Sequence, residues 1–153
     1  MGHAGRRIWI IGASAGIGAA LARALAGQGA QLILSARDGD ALEVLATECG
    51  GAQALPLDLG QPETLAAVVK RLALEAPLDA IICTAALYDP GRVADIDPAQ
   101  AEAMVRVNIL GHDRGRPPMP PAAARRWTVG AVRLGCGLYR SAGGSLIQRP
   151  RLR

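Results

Sequence analysis

The chain has very few aromatic residues. Its 153 residues include two Trp, two Tyr and no Phe, although about half of all residues are apolar. The interior must therefore be built from Ala, Leu, Ile and Val, which dominate the buried parallel strands of layered α/β proteins. The length fits one such domain.

Lysine is almost absent, and the charges are unevenly distributed. Residues 1–112 contain seven Arg, Lys70 and twelve acidic residues, a balance of −4, whereas residues 113–153 contain nine Arg and only Asp113 as an acid, a balance of +8. The basic character thus belongs to the tail. Because this tail has little aromatic interleaving and no recognisable binding motif, nucleic-acid binding is the least favoured function.

Paired cysteines and long apolar runs are also absent. Cys49, Cys83 and Cys136 lack the spacing of a disulfide framework or a metal site. No run approaches the roughly 20 apolar residues of a membrane span. We therefore expect a cytoplasmic protein with reduced thiols, without a metal and without a membrane partner.

What the chain does have is a regular alternation of strand and helix signals as far as His112. Apolar runs and apolar residues at helical spacing predict strands at 7–12, 31–35, 52–57 and 78–84 and helices at 16–28, 38–49, 61–75 and 97–110. Short loops and right-handed crossovers predict a doubly wound, Rossmann-like parallel sheet of about four strands in the order 3-2-1-4. After His112 the pattern stops, and only residues 128–134 could form another strand.

The most informative segment is the glycine turn between the first strand and the first helix, with the spacing Gly12-x-x-x-Gly16-x-Gly18. Gly12 allows the chain to leave the strand in a conformation that a Cβ would hinder. Gly16 and Gly18 keep the backbone bare where a pyrophosphate and a neighbouring strand approach. The helix N-terminus then offers free N–H groups and a partial positive charge to phosphates.

This segment resembles the glycine-rich motif of the short-chain dehydrogenase/reductase family. Three further matches follow in order and extend the resemblance over residues 7–112: Ser35-Ala36-Arg37, Leu57-Asp58-Leu59 and Val107-Asn108-Ile109-Leu110-Gly111. One departure is Cys83-Thr84-Ala85-Ala86, where the family usually has Asn-Asn-Ala-Gly. The resemblance implies an NAD(P)-binding region in residues 1–112, with these cofactor-binding residues: Gly12, Ser14, Ala15, Gly16, Ile17, Gly18, Arg37, Asp58, Leu59, Thr84, Ala85 and Ala86.

Arg37 bears on the choice of nicotinamide cofactor. An acidic residue at the end of the second strand would bind the ribose hydroxyls and repel a 2′-phosphate. Arg37 stands there instead, and a guanidinium can clamp a phosphate and stack on adenine. This favours NADP(H) over NAD(H). The alternative is that Arg37 and Asp38 form a solvated pair at a helix start.

The resemblance also implies hydride transfer between nicotinamide and a small alcohol or carbonyl substrate. Family members use a Tyr, a Lys four residues later, a Ser and an Asn. Asn108 matches the Asn, with a purely structural, helix-distorting role as the alternative. No Tyr-x-x-x-Lys is present, since Tyr88 is followed by Arg92 and Tyr139 by Gly143. As written, the chain is therefore expected to be an inactive oxidoreductase or a silent nucleotide-binding fragment.

The changes in charge, lysine content and periodicity all begin near Asp113, which is typical of a reading-frame change. One choice of codons for Ser145–Arg153 encodes Pro-Tyr-Ser-Ala-Pro-Lys-Ala-Pro in another frame, which contains Tyr-x-x-x-Lys. A frame-shifted, truncated product would have an irregular and poorly ordered tail at 113–153 and would lack strands five to seven. It would also lack the helices through which this family usually forms homo-oligomers. The fourth strand would then be an exposed apolar edge.

Overall fold

A computed structural model describes residues 2–88, 95–111 and 129–131, the last of these as backbone only. The strands are β1 (Arg7–Ile11), β2 (Gln31–Ser35), β3 (Gln53–Ala54), β4 (Ala80–Cys83) and β5 (Val129–Ala131). The helices are α1 (Gly16–Ala26), α2 (Gly39–Glu48), α3 (Pro62–Leu72) and α4 (Pro98–Val105), and a π-helical turn, Arg106–Gly111, continues α4.

The strands form one parallel sheet in the order β3-β2-β1-β4-β5. In the middle of the sheet, Trp9 on β1 is level with Ile33 on β2 and with Ile81 on β4. The predicted α/β fold class and strand order 3-2-1-4 are therefore confirmed, and a fifth strand is added beside β4.

The expectation that β4 would be an exposed edge is wrong. β5 pairs with it in parallel, with Ile81 opposite Val129 and Cys83 opposite Ala131. The unpaired N–H and C=O groups along one side of an apolar strand are costly, and pairing with another strand satisfies them. β5 lies within the interval 128–134 that the sequence allowed as a strand. The remainder of the predicted irregular tail lies outside the described residues.

Two hydrophobic clusters cover the two faces of the sheet. Successive strand residues point to opposite faces, so Ile8 and Ile10 pack with α1 and α2, while Trp9 and Ile11 pack with α3. Aliphatic side chains make up most of both clusters, as the composition required, and Trp9 is the only aromatic residue that the described part of the chain contributes to either.

The third strand is shorter than predicted, two residues instead of six. The chain continues alongside β2, because the Leu55 and Leu57 N–H groups donate to Leu34 and Ala36. Pro56, between them, is exposed on this edge strand, where a residue without an N–H is tolerated.

The fourth predicted helix changes type at Arg106. α4 is an α-helix only over Pro98–Val105, and the π-helical turn carries Asn108. No residue of α4 is buried. Within 2–88 and 95–111, no helix is long and apolar enough to cross a membrane.

Candidate dinucleotide site

The glycine turn leaves the carboxyl end of β1 with its backbone held by β2. The Gly12 and Ala13 N–H groups both donate to the Ser35 carbonyl, at 2.7 and 3.1 Å. Gly12 has φ +89° and Gly16 has φ +55°, in the left-handed region where glycine is favoured. The turn therefore lies where β1 is flanked by β2 and β4, the position at which doubly wound sheets bind ligands.

The three glycines serve different purposes. A Cβ on Gly12 would lie 2.4 Å from the Ala85 nitrogen, and one on Gly18 would lie 2.1 Å from the Gly12 carbonyl oxygen. At these two positions the protein's own backbone leaves no room for a side chain. A Cβ on Gly16, by contrast, would meet no atom within 4 Å. Gly16 thus faces open space, where a ligand can approach the bare backbone.

At the N-terminus of α1, no capping side chain accepts a hydrogen bond from the first-turn N–H groups. Its N-cap residue, Ala15, forms no side-chain cap, and the first turn contains no acidic residue. Ala15, Gly16 and Ile17 are exposed, while Ser14 is half-buried. First-turn N–H groups with no intrahelical partner attract anions. This helix end can therefore bind a phosphate group directly.

Arg37 follows β2 at the same edge of the sheet. Its side chain is exposed and forms no hydrogen bond or ion pair with any described residue. Asp38 is otherwise engaged, since its Oδ1 accepts from the Ala41 N–H at 3.0 Å and caps α2. The sequence alternative of an Arg37–Asp38 pair therefore receives no support from the geometry.

Asp58 and Leu59 follow β3, and Asp58 is fixed in a tight turn. Its Oδ1 accepts from the Gly60 N–H at 2.8 Å, and its own N–H donates to the Thr64 hydroxyl at 3.0 Å. The carboxylate is half-buried and keeps its second oxygen for another donor. Leu59 is buried in the cluster beneath it.

The segment after β4 closes against the glycine turn. The Thr84 hydroxyl lies 3.1 Å from both the Ile11 and the Gly12 carbonyl oxygens. Ala85 is half-buried beside Gly12, and Ala86 is exposed. Burial raises the pKa of the Cys83 thiol to about 11, and a hydrogen bond from the Ala85 backbone opposes part of that rise.

The side-chain amide of Asn108 forms two hydrogen bonds with the backbone of a single residue, Leu87. Its Oδ1 accepts from the Leu87 N–H at 2.8 Å, and its Nδ2 donates to the Leu87 carbonyl at 2.7 Å. These bonds fasten the π-helical turn to the loop after β4. Sequence reasoning missed Leu87, because a residue that acts through its backbone leaves no signal in its side chain.

The predicted site residues thus lie at one edge of the sheet, after four successive strands. Direct packing joins Gly12 and Gly18 to Thr84, with Ala85 also against Gly12, and a Cβ on Gly111 would lie 2.9 Å from Leu59. Among the described residues, no hydrogen bond or ion pair links Arg37 or the Asp58 side chain to the glycine turn.

A separate cavity of about 360 Å³ lies at the opposite, amino-terminal edge of the strands. Arg7, Gln53, Cys49 and Glu75 line it, and none of the predicted site residues does. Its larger side chains are already engaged with one another, because Glu75 bonds both Arg7 and Gln53. We therefore place the candidate site at the carboxyl edge, where the backbone is open.

Comparison with known proteins agrees with this geometry. The family model for the short chain dehydrogenases matches residues 6–114, and the chain belongs to that family. It is 34% identical over 110 residues to an uncharacterized oxidoreductase of Staphylococcus haemolyticus, covering 70% of this chain and 48% of that protein. The chain thus spans about half the length of this relative.

Two solved structures show the same fold with a nucleotide bound. An alcohol dehydrogenase of the archaeon Thermococcus sibiricus, complexed with 5-hydroxy-NADP, is 34% identical with a TM-score of 0.67, over 72% of this chain and 49% of that one. BdcA in complex with NADPH is 26% identical with a TM-score of 0.67, over 81% of this chain and 48% of that one.

Proposed function

We propose that residues 1–112 form the dinucleotide-binding region of an NADP(H)-dependent oxidoreductase acting on small alcohols or carbonyl compounds. In the present sequence, this region binds the cofactor but does not catalyse hydride transfer. The single observation that carries the proposal is the glycine turn, open at Gly16 and closed at Gly12 and Gly18, leading into the uncapped α1.

The residues around the turn fit a dinucleotide. The α1 N–H groups would receive the pyrophosphate, and the second Asp58 oxygen is available to a donor on the adenine. Arg37, which is exposed and has no partner among the described residues, would bind a 2′-phosphate in a charge-assisted contact. The NADP-type ligands of the two structural neighbours support the same preference.

The bound nicotinamide would supply or accept the hydride, and the protein would have to handle the accompanying proton. In this chain the Asn108 amide is committed to Leu87, so we assign it the structural role of holding the loop after β4 in place. A phenol needs a nearby cation to act as a base at neutral pH. Because no Tyr-x-x-x-Lys is present, that proton step has no candidate residues here.

Cofactor binding is tested by titrating the purified chain with NADPH and NADH in a calorimeter. Gly16→Ala should fold normally, at a cost of roughly 1–2 kcal/mol for a Cβ in a left-handed conformation. Its new methyl group projects into the phosphate space, so NADPH affinity should fall at least tenfold.

Gly50→Ala is the matched control. Gly50 has φ +75° and equally open surroundings, but it follows α2 at the other edge of the sheet. This variant should lose similar stability and keep its NADPH affinity. Absence of NADPH binding by the unaltered, folded chain would refute the proposal.

The reading-frame hypothesis for residues 113–153 is tested at the gene. We expect the nucleotide sequence in an alternate frame after codon 112 to encode Tyr-x-x-x-Lys about 40 residues beyond Asn108. A corrected chain should then oxidise NADPH with ketone substrates, whereas the present chain should not. If neither alternate frame encodes the pair, the hypothesis is wrong.

A further inference from the structure

Thr84 occupies a point where three segments of the candidate site meet. Its hydroxyl oxygen lies 3.1 Å from the Ile11 carbonyl at the end of β1 and 3.1 Å from the Gly12 carbonyl in the turn. A Cβ on Gly18, in the first turn of α1, would lie 2.6 Å from the same hydroxyl. The hydroxyl is thus packed between the strand, the turn and the helix.

The orientation of the turn is fixed from two sides. On the β2 side, the Gly12 and Ala13 N–H groups donate to Ser35. On the β4 side, the Gly12 carbonyl accepts from the Thr84 hydroxyl. The Thr84 backbone N–H also donates to Ile11 at 2.8 Å, which holds the residue in register with β1.

A hydroxyl has a single proton to donate. In Thr84 that proton is shared between two carbonyl groups of the protein, so it is not available as a donor to a phosphate. The family resemblance placed Thr84 among the cofactor-binding residues. The geometry gives it a different task within the same site.

We propose that Thr84 is a positioning residue, whose hydroxyl holds the glycine turn in the conformation that presents the α1 N–H groups to a pyrophosphate. This inference rests on the proposed function. It predicts that loss of the hydroxyl weakens the pyrophosphate contact and spares contacts made elsewhere in the site, such as that of Arg37.

The test compares Thr84→Val, which keeps the shape and removes the hydroxyl, with Thr84→Ser, which keeps the hydroxyl. Two ligands are titrated into the full chain: NADPH, and adenosine 2′-monophosphate, which lacks a pyrophosphate. Loss of one hydrogen bond corresponds to roughly a tenfold change in affinity. We expect that loss for Thr84→Val with NADPH only, and values near those of the unaltered chain for Thr84→Ser.

Amide hydrogen exchange provides a readout that needs no ligand. In Thr84→Val, exchange should accelerate in residues 12–18 and stay unchanged in α2 and α3. Unaltered exchange in residues 12–18, or equal weakening of both ligands together with faster exchange throughout, would overturn the positioning role. Should the unaltered chain bind no NADPH, the proposed function fails, and the exchange comparison still decides the role of Thr84.

Discussion

The indole nitrogen of Trp9 donates a hydrogen bond of 2.9 Å to the Ser35 hydroxyl, and both residues are completely buried. Trp9 is the largest side chain in the core, and within residues 2–88 and 95–111 Ser35 is the only buried polar residue. Ser35 also accepts from the Gly12 and Ala13 N–H groups through its carbonyl. One residue of β2 therefore supports both the core indole and the glycine turn.

The first prediction concerns the loss of this bond. Ser35→Ala leaves a buried indole N–H without a partner, which should lower the free energy of unfolding by about 1–3 kcal/mol. Urea denaturation measures the change. In a Trp9→Phe background there is no indole to satisfy, so Ser35→Ala should cost much less. Equal costs in the two backgrounds would show that the bond contributes nothing.

The second prediction concerns cofactor preference at Arg37. A charge-assisted hydrogen bond to a phosphate is worth about 1.5–3 kcal/mol, so Arg37→Ala should weaken NADPH binding by roughly 10- to 100-fold. NADH has no 2′-phosphate, and its affinity should hardly change. Calorimetry with both ligands measures the ratio.

Arg6→Ala is the control for Arg37. Arg6 is also exposed and carries the same charge, but it lies just before β1 at the amino-terminal edge. If Arg6→Ala weakens NADPH as much as Arg37→Ala does, the effect is one of net charge and not of a specific clamp.

The third prediction concerns the ion pairs that join the amino-terminal ends of the sheet. Glu75 bonds the Arg7 guanidinium and accepts from Gln53, and the Arg7 side chain is only 12% exposed. Glu75→Gln should cost about 2 kcal/mol, because a largely buried cation loses its carboxylate.

Glu48 offers a matched comparison for Glu75. It pairs with Arg23 between α1 and α2, with both side chains about half exposed. Glu48→Gln should cost less than about 1 kcal/mol, as surface pairs do. Denaturant midpoints of the two variants measure the difference, and equal losses would contradict the importance of burial.

The fourth prediction concerns alkaline pH. Burial raises the pKa of the Cys83 thiol from 9.0 to about 11, so the folded state keeps this proton after the unfolded state has lost it. The raised pKa stabilises the folded state, and this stabilisation is fully present below pH 9. It amounts to about 3 kcal/mol in all and is lost as the pH rises through 11. Cys83→Ala should therefore lose less stability than the unaltered chain between pH 8.5 and 10.5.

Cys49 provides the control that distinguishes the ionisation of Cys83 from general alkaline unfolding. Its thiol is only partly buried, and its pKa is also raised by burial, against the opposing effect of Arg23. Cys49→Ala should follow the pH dependence of the unaltered chain more closely than Cys83→Ala does. Parallel pH curves for all three proteins would contradict the assigned pKa of Cys83.

Local patterns in the sequence were enough to place β1, β2, α1 and α2 within two residues of their observed ends. They were less successful where one residue acts on a distant segment. The regular part of β3 is shorter than expected, and the bonds from Asn108 to Leu87 coincide with the change from α4 to a π-helical turn. The Asn108 bonds depend on a partner 21 residues away in the chain, which periodicity does not register.

The sequence by itself determined the strand–helix alternation, the glycine spacing and the apolar faces, because each depends on residues close together in the chain. Only the tertiary structure decided that there is no room for a Cβ at Gly12 and Gly18 while there is room at Gly16, and that β5 pairs with β4. It also decided that the side chains of Thr84 and Asn108 form hydrogen bonds with the protein's own backbone. Such close approaches are set by packing between segments up to 73 residues apart, as with Thr84 and Ile11. No local pattern encodes them, since each distance depends on how the whole sheet is assembled.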